Sequence, residues 1–278
     1  METLVNGLKT NRAFAITSVL VLALLLIAVA APAIAPYDPT MATMKDAFLE
    51  PSAQHIFGTD KLGRDCFSRV LYGARASLSG VLFLVACVFA VGTTMGVLSG
   101  YFGGKVDMVI MRISDMMISF PGMILAIAVA GIMGGSLVNA VIALTIVSWT
   151  KYARLARSLV MKIKRRDFVD AAIVNGGSPS HILWIHILPN ILPMMVVTAA
   201  ADIGALMMEL AGLSFLGFGS QPPAPEWGLM LNEGRQQLQT APWLMIFPGL
   251  AIFVTVVIFN LWGDNLRDVL DPRNDAKE

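Results

Sequence analysis

Two carboxylates stand inside an apolar run that should not keep them without a use. Asp202 and Glu209 lie in ILPMMVVTAAADIGALMMELAGLSFLGFG, residues 191–219. A charge at the centre of a bilayer costs about 2.5–3.5 kcal/mol on insertion scales, so both acids must face protein or water. Seven residues apart, they share nearly one helical face and are separated by about 10 Å along its axis. Such a face suits transient contact with a cation. Met194, Met195, Met207 and Met208 add soft sulfur nearby, which favours a late transition metal over magnesium or calcium. A peptide's amino terminus would use the same acids, and so would hydrogen bonding between packed helices. A stable metal centre is not expected, because His55, His181 and His186 are scattered and nothing has the spacing of a zinc site.

Covalent chemistry has no constellation to run on. The only Gly-Lys pair, Gly104-Lys105, is followed by Val106 and lacks the upstream glycine of a phosphate-binding loop. No cofactor is expected in this chain, and catalytic residues are not clustered, so the chain is not expected to be an enzyme.

The elements that must position the two acids are membrane spans. Of 278 residues, 56% are hydrophobic and 14% charged, and the mean hydropathy is +0.71. These values describe an all-α polytopic membrane protein. A net charge of +1 offers nucleic acid no attraction. Cys66 and Cys87 would lie at different depths and are not expected to pair. Crossing hydrocarbon takes about 20 apolar residues, and six runs qualify or nearly do: 14–35, 77–100, 116–133, 136–150, 191–214 and 244–263. The first is longer than a signal-peptide core and is expected to be retained.

With the amino end inside, the cytoplasmic segments 1–13, 101–115, 151–190 and 264–278 hold 14 of the 20 Lys and Arg, as the positive-inside rule requires. The basic block KYARLARSLVMKIKRR, 151–166, contains no acid and dominates the orientation. The chain then divides into 1–35, a cytoplasmic segment with the first span; 36–76, an extracytoplasmic scaffold; 77–263, the transmembrane core; and 264–278, a cytoplasmic tail. Pro121 is expected to kink the third span. Trp227 and Trp243 are expected at interfacial depth, Trp227 as a membrane-surface anchor or facing the outer gate.

After the basic block, Asp167 can cap a short helix that Asn175 and Gly176 stop, and Ser178 can cap a second helix with Pro179 at its first position, running to about Leu188. A two-turn helix is too short to stand alone and needs something to lean on. Asp170-Ala171-Ala172, then Gly176, then Ile187-Leu188-Pro189 resembles the EAA loop of ABC-importer permeases, here over 167–190. In that family the short helix docks into a cleft of the ATPase subunit. The resemblance makes Asp170, Ala171, Ala172, Gly176 and Pro189 the coupling residues, with aspartate where the family usually has glutamate.

A second segment narrows the group. FGTDKLGRDCFSRVLYGARASL, 57–78, resembles the GTDxLGRDxxSRxxxGxRxSL signature of the peptide and nickel importer permeases. ISDMMISFPGMIL and GLSFLGFGSQPPAPEWGLML are similar to that group too, and within it the chain looks like the second of two paired permeases. The 57–78 charges suit a compact turn with exposed internal salt bridges, a scaffold without substrate contact.

The resemblance implies a six-span type I importer permease in a bacterial inner membrane. Its expected partners are a homologous permease, two ATPase subunits that carry ATP and magnesium, an extracytoplasmic solute-binding protein and the lipid bilayer, with no nucleic acid. Asp202, Glu209, Met207, Met208 and Pro121 are expected along the translocation path, with transient metal contact at the two acids. The expected solute is nickel or a nickel-ligand complex, with dipeptides as the alternative. A secondary transporter would need inverted repeats and a broken helix at midplane, and the sequence displays neither.

Overall fold

The computed structural model describes residues 11–270, and among these the chain is helical with one isolated β-bridge, Thr59 to Asp65. The helices are α1 (Arg12–Ile34), α2 (Cys66–Phe102), α3 (Gly104–Ile118), α4 (Gly122–Met133) and α5 (Leu137–Ile163). They continue with α6 (Asp167–Val174), α7 (Pro179–Phe215), α8 (Trp227–Gly234) and α9 (Trp243–Leu270). The architecture is that of an all-helical polytopic membrane protein. By length and hydropathy α1, α2, α7 and α9 can each cross a membrane, and α3 with α4 can form one broken span. The expected amino-terminal residues 1–10 and most of the 264–278 tail lie outside the described residues.

α1 begins at Asn11, whose side chain accepts a 3.0 Å hydrogen bond from the Phe14 N–H, and it turns residues such as Val19 and Val29 outward. An apolar helix that buries so little of itself needs lipid as its solvent. Its inner face joins α9, where the Trp262 indole donates to Ser18 Oγ at 3.1 Å.

The centre of the fold is the α2–α5 pair. Gly92, Gly96 and Gly100 recur every fourth residue of α2, and an added Cβ would collide at each with α5: with Tyr152 Cβ and Trp149 O, with Ala153 O and Ala156 Cβ, and with Arg157 O and Val160 Cβ. Small residues on both faces let the backbones approach and gather van der Waals contact, the main attraction available between helices in lipid.

Three boundaries differ from the sequence expectations. The run 116–133 is not one kinked helix: α3 ends at Ile118, α4 restarts at Gly122, and the two are bent by 95°. Proline lacks an N–H and disfavours helical backbone in the residue before it, so the break falls at Ser119-Phe120-Pro121. Second, 151–163 is not loop but the last half of α5. The α5 arginines pair with α3: Arg157 with Asp107, Nε to Oδ1 at 2.5 Å, and Arg154 with Asp115, Nη2 to Oδ1 at 2.6 Å. The basic block therefore has acids, supplied by another helix.

Third, the helix begun by Pro179 does not stop near Leu188 but continues to Phe215. Pro189 and Pro193 cannot donate to the carbonyls of Ile185 and Pro189. Upstream, Ile182–Ile187 opens into a π-helical turn in which the Leu188 N–H reaches back to Leu183 O.

The helix ends sort into two sides. Phe14 of α1, Val197 of α7 and Leu266 of α9 share one cluster, and on that same side Lys164 after α5 donates to Tyr101 O of α2 at 2.7 Å. At the other side Cys66, Ala241, Trp243 and Leu244 pack together.

Candidate functional site

α7 carries Asp202 and Glu209 into one cavity of about 350 Å³, which is completed by α5 and by the bend between α3 and α4. Seven residues is close to two turns, so both acids point the same way. Facing them on α5 are Ser148 and Lys151, spaced one turn apart for the same reason. The Lys151 ammonium sits 2.6 Å and 2.8 Å from the two oxygens of Asp202. The Ser148 hydroxyl donates to Glu209 Oε2 at 3.5 Å. Met117, Ile118 and Phe120 close the cavity on the side of the bend.

A wall with one ammonium and two carboxylates, opening among apolar side chains, can hold a charged solute by exchange of ion pairs. It has no nucleophile or acid–base relay aimed at a bond. Among the described residues no group of three or more His, Cys, Asp or Glu could hold a metal ion.

The other residues expected on this path are dispersed. Met207 is buried in the main hydrophobic core. Met208 faces a separate apolar hollow of about 570 Å³, beside Phe215 and Phe253. Residues 207 and 208 lie about 140° and 120° around the helix from 202, and about 160° and 100° from 209, too far to join them. Met195 is buried and Met194 exposed, so Met117 is the methionine that shares the acids' cavity. Pro121 does not line it. It is the N-cap of α4 and acts by producing the bend. Lys151 and Ser148 were missed by reading the sequence. The signal was present in the rule that an intramembrane acid needs a partner, and Lys151 is the first charge after the apolar run 136–150.

The 167–190 loop is built around Val169, which is fully buried with Ile182 and Ile187. α6 covers Asp167–Val174, and its N-cap is Arg166 without a side-chain bond, so Asp167 is the first helical residue and not the cap. Asp167 and Asp170 lie in the first turn, where the helix dipole favours acid. The stop agrees with expectation: Gly176 has φ +82°, and the Gly177 N–H donates to Ala172 O at 3.0 Å. Ser178 Oγ accepts from the His181 N–H at 3.3 Å, and Pro179 opens α7. Asp170, Ala171, Gly176 and Pro189 are exposed and Ala172 is half-buried. Around them Phe168, Ile173 and Trp184 stand out, and Val174 is 86% exposed.

On the opposite side the charges of 57–78 are not exposed pairs. Arg64 and Arg69 are each 1% exposed and share Glu233 of α8, Nη2 to Oε1 at 3.0 Å and Nη2 to Oε2 at 2.7 Å. Arg64 Nε also pairs with Asp60 at 2.6 Å, and Arg69 Nη1 donates to Pro39 O at 3.2 Å. Trp227 and Trp243 are buried too, donating to Val70 O at 2.9 Å and to Thr59 O at 3.1 Å. Both fasten the end of the chain around 227–243 to the 36–76 segment, their indoles held by protein carbonyls and not turned to lipid. Glu226 accepts from the Gly228 and Leu229 N–H groups at the start of α8 and from Ser77 Oγ at 3.1 Å.

Residues 92–275 match the family model of the binding-protein-dependent transport system inner membrane component, and residues 5–51 that of the N-terminal TM domain of oligopeptide transport permease C. The chain is 47% identical over 253 residues to the glutathione transport system permease protein GsiD of Pectobacterium atrosepticum, covering 90% of this chain and 84% of that one. It is 43% identical over 266 residues to the dipeptide transport system permease protein DppC of Alkalihalophilus pseudofirmus, covering 96% and 88%. It is 43% identical over 237 residues to the nickel transport system permease protein NikC of Escherichia coli, covering 85% and 86%. A chain of the MetNI methionine ABC transporter in inward facing conformations shares the fold, with a TM-score of 0.56 at 20% identity, over 72% of this chain and 96% of that one. These identities do not single out the nickel branch.

Proposed function

Because this chain belongs to the family of binding-protein-dependent transport system inner membrane components, we propose that it forms half of a translocation path for a small zwitterionic peptide. In this reading a homologous permease supplies the other half, and two ATPase subunits drive the path through the 167–190 loop. Membership itself makes the chain a multi-pass inner-membrane permease subunit of an ABC importer of the peptide/nickel group, which is not an enzyme and carries no cofactor.

The observation that carries the substrate reading is the Lys151–Asp202 pair on the cavity wall. A solute with a carboxylate and an ammonium can trade places with it, its carboxylate taking Lys151 while its ammonium takes Asp202 and Glu209. Exchanging ion pair for ion pair keeps Lys151 and Asp202 each matched, which lowers the desolvation cost of passage. Glutathione and dipeptide, named for two relatives, are solutes of this chemistry. The nickel expectation rested on the two acids with Met194, Met195, Met207 and Met208 as nearby soft sulfur. Asp202 is engaged by the Lys151 ammonium, and Met207 and Met208 face elsewhere.

Exposed Phe168, Ile173 and Val174 on a two-turn helix support the coupling role of Asp170, Ala171, Ala172 and Gly176, since such a face is costly in water and fits a hydrophobic cleft. Pro189 belongs to the same role by setting the wide turn beneath that helix.

The test is uptake into proteoliposomes holding both permeases and both ATPases, supplied with the companion binding protein and radiolabelled dipeptide, glutathione or nickel. Peptide uptake that needs Lys151 supports the reading. Nickel uptake without peptide uptake overturns it.

A further inference from the structure

We propose that His181 and His186 form a surface site for a late transition-metal ion, beside the coupling helix and apart from the translocation path. Five residues apart, two side chains on an α-helix would be rotated by about 140° and could not share a ligand. The π-helical segment Ile182–Ile187 lies between them, and an i→i+5 turn brings such positions to within about 50° of each other. The ring centroids are accordingly 5.8 Å apart, with the planes inclined at 67°. Two imidazoles bound to one ion by nitrogens about 2.1 Å from it have ring centres about 5 Å apart at a tetrahedral angle, so a small side-chain rotation brings both rings onto one ion. His181 is exposed and His186 half-buried, so an ion can reach the pair and complete its coordination with water.

Imidazole suits zinc, nickel and copper, whereas magnesium and calcium would want a cage of carboxylate and carbonyl oxygens. The π-turn is held from both ends by features unrelated to a metal, Pro179 and Ser178 before it and Pro189 after it, so the pair is preorganised. The His186 ring also lies 6.2 Å from that of Phe168 in α6. An ion clamping His181 to His186 therefore bears directly on the helix that meets the ATPase, whatever solute is carried.

The assembled complex, purified through a tag free of histidine, would be titrated with zinc chloride and with nickel chloride by calorimetry. One saturable site per copy of this chain is expected. His181→Gln and His186→Gln should each weaken it about tenfold or more, since either leaves a single protein ligand. Both side chains face the surface, and co-elution of all subunits checks that the variants assemble. A wild-type complex with no site beyond those kept by the double variant overturns the proposal. So does either single variant that binds like wild type.

Discussion

The Lys151 ammonium and the Asp202 carboxylate, 51 residues apart in sequence, join at 2.6 Å and 2.8 Å between α5 and α7. The lysine is well exposed to the cavity and the aspartate mostly buried. The pair is therefore a charged contact that a solute can reach, not a sealed structural bridge.

Removing Lys151 should leave the mostly buried Asp202 without its cation, and removing Asp202 should leave Lys151 without its carboxylate. Lys151→Met and Asp202→Asn are each expected to lower peptide uptake about tenfold, equivalent to about 1.4 kcal/mol. The exchanged pair, Lys151→Asp with Asp202→Lys, should recover part of that loss. Uptake per transporter in proteoliposomes measures both. Single variants that transport at the wild-type rate would remove the pair from the path.

The outer network makes a stability prediction. Glu233→Ala leaves Arg64 and Arg69 sharing only Asp60, and breaking a buried pair by deleting one partner costs about 3–5 kcal/mol. A fall of several degrees in the Tm of the purified complex is expected, with Glu233→Asp intermediate. Burial works to lower the Arg64 pKa, but Asp60 and Glu233 outweigh it and hold the guanidinium above its ordinary value. Stability from a raised folded-state pKa is fully present below the unfolded value and lost only as pH rises through the folded one. The Arg64 share of the Glu233→Ala deficit should therefore be the same at about pH 6 and about pH 9, whereas Arg69, whose pKa is lowered by burial and by Arg64, is the arginine that loses its charge first as pH rises.

Gly96→Val tests the central helix pair. Its side chain would meet Ala153 O and Ala156 Cβ of α5, where backbone cannot yield as a flexible side chain can. Overpacking of this kind costs about 1–3 kcal/mol. The expected outcome is poor assembly, seen as loss of the complex on size exclusion, while Gly249→Ala, where an added Cβ would make only an ordinary contact with Leu231 Cδ2 at 3.9 Å, should assemble normally.

Gly176→Val and Val174→Asp separate shape from contact in the coupling loop. At φ +82° a β-branched residue is strained by about 1–2 kcal/mol. Val174→Asp leaves the backbone alone and takes away exposed apolar surface. Both are expected to reduce binding-protein-stimulated ATP hydrolysis severalfold, and only Val174→Asp should also weaken ATPase association, by about tenfold. Equal association of the two variants would argue against direct contact by Val174.

Local chemistry and the choice of solvent are written along the chain and need no tertiary structure to be read. Hydropathy places most of the membrane helices, and the bias of Lys and Arg orients them. Gly176, Ser178 and Pro179 write out the stop and restart of the 167–190 loop, because caps and turns depend on a few adjacent residues. Asp202 and Glu209 announce a protected face simply by being charged in an apolar run. Their partners were settled only by the packing of the helices. Lys151 read as one more cytoplasmic charge, and its pairing with Asp202 depends on α5 and α7 lying side by side. Glu233 read as an outer-loop residue, yet it joins two arginines more than 160 residues earlier. Pro121 announces a break, but the 95° bend between α3 and α4 is visible only in the folded chain, as is the π-turn that unites His181 with His186. Hydrogen bonds between distant segments leave no period in a sequence, so its charges could be counted but not matched.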